Sequence, residues 1–202
     1  MKTIITIQHT QAVHHDTGMV GSWTDWELTD LGKKHAENIG RKLAAELNQT
    51  GLSYKLYSSD LLRAKQTIDP LARYMGLDVE YRMDLREHNI GEACGKSGQW
   101  ARDNSAPCAT FDDRAFPSAE SWREFWNRIN GVIESITADE NENENIILAS
   151  HGVTLSVWQQ IWNGEDIQDF RYLGLPGGVS VFTIDKNGVR KAERINDGSY
   201  ME

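Results

Sequence analysis

The chain is short of cysteine. Its 202 residues include two, Cys94 and Cys108, and no CxxC pair. That number makes neither a disulfide framework nor a cysteine-built metal knuckle. Long apolar runs are also missing, since none approaches the ~20 residues of a membrane helix. The opening stretch, Met1-Lys2-Thr3-Ile4-Ile5-Thr6-Ile7, turns polar at Gln8 with no small-residue cleavage site, too short for a secretory signal. Positive charge is scarce: Lys plus Arg number 21 against 30 Asp plus Glu, a net charge of −9. A general nucleic-acid binder needs a basic face, so this balance argues against one. It leaves an anionic substrate open, because a local cation overrides the global sign. No internal repeat and no linker interrupts the chain. The expectation is one cytoplasmic domain over residues 1–202, with no membrane or nucleic-acid partner. A homodimer is left open.

What is present suits a packed α/β protein. Hydrophobic residues are 39% and charged residues 25%, an ordinary globular composition. Ile4, Ile5 and Ile7 form a β-branched run, read as a buried strand ending at Gln8-His9. Residues 10–27 show no period and read as a long loop, which inside a compact domain is usually functional. Thr29 reads as an N-cap, with Leu31, His35, Ile39, Leu43 and Leu47 following at spacing four. Residues 55–58 predict a second strand. Ser58 or Ser59 then caps a helix carrying Leu61, Ala64, Ile68 and Leu71, ending at Gly76. A short strand over 78–81 and an irregular stretch over 84–116 follow. Ser121-Trp122-Arg123-Glu124 is a capping-box pattern. The acidic tract Glu140–Asn145 reads as a solvated turn. Ile146-Ile147-Leu148-Ala149 is the clearest strand and runs into Ser150-His151-Gly152. A helix with Leu155, Trp158, Ile161 and Trp162 stops at Gly164. Residues 179–184 and 189–195, around Asn187-Gly188, predict a closing hairpin. Alternating strands and helices imply a three-layer α/β/α sandwich with a mostly parallel central sheet.

In such sheets ligands bind beyond the carboxyl ends of the strands. The first strand is followed by Gln8, His9 and Thr10. The second is followed by Ser58, Ser59, Asp60 and, one turn into its helix, Arg63. The late strand is followed by Ser150, His151 and Gly152. Two histidines and an arginine thus converge beside two helix N-termini, where free N–H groups favour an anion. Phosphate is the natural guess. Alone, each part has a plainer reading: a histidine at a strand end is ordinarily structural, and Arg63 would pair with Asp60 at spacing three. His9, His14, His15 and His151 match no standard zinc spacing, so neither metal nor cofactor is expected. Gly95-Lys96-Ser97 is not a P-loop, because Ile90 stands where the leading glycine belongs.

These residues resemble the histidine phosphatase (phosphoglycerate mutase-like) superfamily over almost the whole chain. The family's Arg-His-Gly opening corresponds to Gln8-His9-Thr10. Its Leu-Thr-x-x-Gly helix start is Leu28-Thr29-Asp30-Leu31-Gly32. Its Ser-Ser-Asp-Leu-x-Arg-Ala-x-Gln-Thr segment is matched at every position by residues 58–67. Leu85-Arg86-Glu87 with Gly91, Pro117-Ser118-Ala119-Glu120-Ser121, and Ser150-His151-Gly152 follow in the family's order. The resemblance implies a phosphoglycerate mutase-like fold and metal-independent hydrolysis of a small phosphomonoester through a phosphohistidine. His9 is then the nucleophile. Arg63 and protonated His151 hold the equatorial oxygens, with Gln8, His15 and Gly152 also on the substrate. Glu87 protonates the leaving alkoxide and later deprotonates water. Two other outcomes follow from the same resemblance: a catalytically impaired phospho-ligand or protein-binding module, and a mutase-type phosphotransferase.

The match departs from the family in its first motif. Gln8 stands in place of a phosphate-binding arginine, Thr10 in place of glycine, Ala12 in place of Ser or Thr, and His15 in place of Asn. Losing a preorganised donor from a transition-state clamp costs ~2.7–4 kcal/mol, ~100–1,000-fold in rate. The expectation is that His15, together with His14, supplies part of the missing positive charge, which favours mildly acidic pH.

Overall fold

The computed structural model describes residues 1–138, 144–167, 172 and 174–202. Its strands are β1 (Lys2–Gln8), β2 (Ser53–Ser59), β3 (Val79–Arg82), β4 (Glu144–Ser150), β5 (Val179–Ile184) and β6 (Arg190–Asp197). Its helices are α1 (Val13–Thr17), α2 (Asp30–Leu47), α3 (Leu62–Met75), α4 (Gly98–Asn104), α5 (Trp122–Thr137) and α6 (Gly152–Trp162). The strands form one sheet in the order β3-β2-β4-β1-β5-β6. The first four in that order run parallel, while β5 pairs antiparallel with both β1 and β6. This is the expected α/β class, with an antiparallel hairpin closing one edge. Among the described residues no helix is long and apolar enough to cross a membrane.

Alternation along the strands sorts the core into two layers. Ile4, Ile146, Leu148 and Phe182 face α5 and α6, meeting Phe125, Ile129, Val132, Trp158 and Trp162. Their neighbours Ile5, Ile7, Ile147 and Ala149 face the other way, toward Ile39, Leu43, Ile68 and Leu71 of α2 and α3. Successive side chains on a strand point to opposite faces, so one β-branched run serves both layers. Both faces of the sheet are therefore covered, and its carboxyl edge is left for chemistry.

Several local expectations change. The buried side of α2 carries Gly32, Ala36, Ile39, Gly40, Leu43, Ala44 and Leu47, while Leu31 is exposed. Strict spacing of four turns about 40° per step, so a stripe begun at Leu31 has rotated about 160° by Leu47. Leu31 and Leu47 cannot share a face. Gly32 approaches the loop after β1 so closely that a Cβ would lie 2.0 Å from Gln11 O. Thr29 does cap α2, its side chain accepting from Gly32 N. Helix α3 begins at Leu62 rather than at the serines. Ser59 Oγ accepts Leu61 N and not a helical N–H, and the cap on Leu62 N is Asp25 Oδ1, 3.0 Å away on a distant loop. The loop over 10–27 contains α1, and the irregular stretch over 84–116 contains α4 and a short 3-10 turn, Gly91–Ala93, with another, Met83–Leu85, across its start. The Ser121 capping box forms as expected. Of the acidic tract, Glu144 and Asn145 open β4, and Asn145 is buried with Oδ1 accepting Thr3 N. The rest of that tract lies outside the described residues.

Candidate active site

β1 and β4 are neighbours, paired in register at Gln8 and Ser150, and His9 N donates to Ser150 O. The two histidines that follow these strands are therefore brought together, with ring centroids 5.2 Å apart. Thr10, the residue in place of glycine, ties this corner down. Its N–H donates to Thr67 Oγ1 and its hydroxyl to Gly32 O, joining β1 to α3 and α2. Ala12 is buried against Leu28 and Ala36.

The tautomer of His9 follows from its partners. Nδ1 lies 2.8 Å from Thr10 O, so it carries the proton and donates. Nε2 accepts from Arg63 Nε at 3.2 Å, so it carries the lone pair. Burial, then the Arg63 charge, push the His9 pKa well below its ordinary value. The ring is a neutral imidazole with its nucleophilic nitrogen aimed at a guanidinium.

Arg63 is buried and does not pair with Asp60, which is held bidentately by Arg86. Arg63 Nη1 donates to Thr24 O and Nη2 to Ser22 O, at 2.7 and 2.8 Å. Each of these nitrogens keeps a second N–H. Burial pushes the Arg63 pKa down to about 10, so it stays charged near neutrality. The segment holding it is also fastened to the Glu87 turn. Trp23 Nε1 donates to Glu87 O, Ser22 Oγ donates to His88 O, and Ile90 N donates to Ser22 Oγ.

Glu87 reaches the start of α6. Oε1 accepts from His88 N, Thr154 N and Thr154 Oγ1, and Oε2 accepts from Val153 N. His151, the residue at the cap position, makes no side-chain cap, so Glu87 satisfies these helix donors from outside. His151 instead places Nε2 2.8 Å from Ser59 Oγ, and its Nδ1 has no partner among the described residues. The Gln8 side chain lies beside Gly152 and Gly174, where a Cβ on Gly174 would sit 2.0 Å from Oε1. Gln8 thus lines α6's first turn, and among the described residues its side chain makes no hydrogen bond to His9.

Two electrostatic expectations are corrected. His151 is not a cation in this unliganded site, because burial and then Arg63 lower its pKa well below the usual value. Nor does His15 replace a lost charge here. Burial and Arg63 lower its pKa, and His14 is pushed down to about 3 by burial, His15 and Arg63. A basic residue type does not guarantee a charge beside a buried guanidinium. His9, His14 and His15 do lie together, with nitrogens within 4.8 Å of one another. Two of those rings are already engaged: His9 Nε2 by Arg63, and His15 Nδ1 by Ala12 N.

The lowered values have a stability consequence with a definite sign. His9 and His151 fold as neutral rings, whereas the unfolded chain takes up their protons below about pH 6.5. Stability from these rings is therefore full above pH 6.5 and lost as pH falls below it. Each ring costs roughly 1 to 2 kcal/mol at pH 5.5 relative to pH 8. Thermal melts across that range should show a falling Tm, and a flat profile contradicts the neutral assignment.

Sequence reasoning missed Ser22, Asp25, Thr154 and Arg128 around this site. Thr154 alone had a usable signal, as the third residue of a helix opened by Ser-His-Gly.

Comparison with known proteins agrees with this geometry. A family model described as the histidine phosphatase superfamily, branch 1, matches residues 4–198. A 2,3-bisphosphoglycerate-dependent phosphoglycerate mutase of Borreliella burgdorferi is 23% identical over 93% of this chain and 88% of the mutase. The Bacillus stearothermophilus protein YhfR superposes with a TM-score of 0.82 at 20% identity, over 100% of both chains. A mycobacterial glucosyl-3-phosphoglycerate phosphatase gives 0.80 at 17% identity, covering 97% of this chain and 99% of that one.

Proposed function

The chain belongs to the histidine phosphatase superfamily, branch 1, and from that premise we propose that it hydrolyses a small phosphomonoester through a phosphohistidine on His9. The observation carrying this reading is the fixed tautomer of His9, with its lone pair on Nε2 beside Arg63. Nε2 attacks phosphorus as the bond to the leaving oxygen breaks. Glu87 gives that oxygen a proton, and Oε2, which among the described residues accepts from Val153 N alone, is the oxygen placed to do so. Water then attacks phosphorus, the P–N bond breaks toward Nε2, and the proton of the water returns to Glu87. The two remaining N–H groups of Arg63 and the start of α6 at Gly152 take the equatorial oxygens. His151, through Nδ1, which has no partner among the described residues, lines the same corner with Gln8 and His15. An arriving phosphate dianion favours protonated imidazoles, so these rings take up protons with the substrate rather than before it.

The named mutase relative supports a second outcome on the same site, transfer of phosphate to another hydroxyl. One experiment separates the readings: phosphate release from a panel of phosphoesters between pH 5 and 8, with and without a bisphosphate primer. Release without primer is expected. Turnover only with primer favours the mutase. An inert protein that still binds phosphate or vanadate favours a binding module.

A further inference from the structure

Beneath Glu87 lies a second arginine, paired with the carboxylate of Glu120. We propose that Arg128, locked by Glu120, is the positioning residue that sets Glu87 for proton transfer. This rests on the reading of Glu87 as the acid and goes beyond it by naming what holds the acid in place.

Arg128 projects from α5. Its Nε and Nη2 donate to Glu120 Oε1 and Oε2, each at 2.7 Å. Nη1 donates to Asp84 O at 2.8 Å and to Arg86 O at 2.9 Å. Nη2 donates again to Glu87 O at 3.1 Å. A guanidinium has five N–H donors, and all are engaged here. Three go to carbonyls of the turn that carries Glu87. The fork is itself held, since Glu120 Oε2 also accepts Asn89 N on the far side of Glu87. Arg128 further lies over the Phe125 ring, 4.9 Å from its centroid, which ties the device to the core.

The consequence is directional. Three backbone carbonyls aimed at one cation fix the path of residues 84–87, and that path decides where the Glu87 carboxyl meets Val153 and Thr154 of α6. A lysine keeps the charge but offers no planar fork, so it cannot hold three carbonyls and a bidentate carboxylate together. Misplacing a reacting group by about 1 Å costs on the order of 100-fold in rate. That cost falls on both proton transfers of Glu87, of which the first depends on the leaving group and the second, in the water step, does not. An alkyl phosphate needs its leaving oxygen protonated, whereas p-nitrophenolate is stable enough to leave without it.

The test is steady-state kinetics of wild type, Arg128→Met, Arg128→Lys and Glu120→Gln on an alkyl phosphate and on p-nitrophenyl phosphate. The expected result is a drop in kcat/KM on the alkyl ester of roughly 10- to 100-fold for Arg128→Met. On p-nitrophenyl phosphate kcat/KM, which ends at the first phosphoryl transfer and does not include the water step, should change less than about 3-fold. Arg128→Lys and Glu120→Gln should show the same ester selectivity to a smaller extent, and they decide the matter if Arg128→Met does not fold. Equal losses of kcat/KM on both esters, or no loss on either, overturn the proposal while leaving the hydrolase reading intact. A wild type inert on both esters overturns the hydrolase reading and this one with it.

Discussion

His9→Ala should abolish phosphate transfer. On p-nitrophenyl phosphate, where the leaving group needs no acid, kcat is expected to fall by roughly 10,000-fold or more, as when a covalent nucleophile is removed elsewhere. The size of the effect follows from what the ring supplies. Its lone pair forms the bond to phosphorus, and two of its neighbours are already engaged. Ser59 is engaged with His151, and His15 Nδ1 accepts from Ala12 N. The variant should also fail to retain phosphate when mixed with radiolabelled ester and denatured in base, which spares phosphohistidine. Wild type should retain it. Folding is a smaller concern, because the vacated space borders Arg63 and leaves the apolar layers untouched. Substantial turnover by His9→Ala would remove His9 from the mechanism and transfer attention to a directly attacking water.

The same substitution shows how far the sequence could be read. The strand ends were legible because β-branched runs stop abruptly at Gln8 and Ser150, and a parallel sheet brings such ends to one edge. Arg63 and Glu87 were legible through their motif. What the motif did not carry was charge state. Burial is a property of the packed chain, so two histidines that read as cations turn out neutral beside a guanidinium. Contacts to backbone were equally invisible. Asp25 caps α3 across 37 positions, and Arg128 holds carbonyls 41 to 44 positions away. A carbonyl belongs to every residue, so no residue type advertises such a contact. The face of α2 was misread for a different reason, since a spacing of four imitates a helical stripe over two turns and drifts off it over five.

Arg63→Met is the other substitution with a large expected effect, and it acts in two ways that can be measured apart. Chemically, it removes the cation from the position where phosphoryl charge develops. Loss of one preorganised donor from such a site costs about 100- to 1,000-fold in kcat, and Arg63 supplies two donors as well as a charge. Structurally, it leaves Ser22 O and Thr24 O without their donors. An unsatisfied buried carbonyl costs roughly 1 to 3 kcal/mol. Ser22 sits at φ 42°, a left-handed conformation that a non-glycine residue holds only when its surroundings insist. The segment around it should therefore loosen, opening to protease while α5 and α6 stay protected. Arg63→Lys separates the two effects. It keeps a charge beside His9 but not the fork on Ser22 and Thr24, so it should recover part of the lost rate while the segment stays loose. The pH dependence of stability moves as well. Arg63 is the second cause, after burial, of the low His9 and His151 values. In Arg63→Met both rings should accept protons more readily, and the fall of Tm between pH 6.5 and 5.5 should become shallower. Wild-type kcat in Arg63→Met, with an unchanged pH–Tm profile, would mean that the guanidinium serves the loop alone and that the phosphate is held elsewhere.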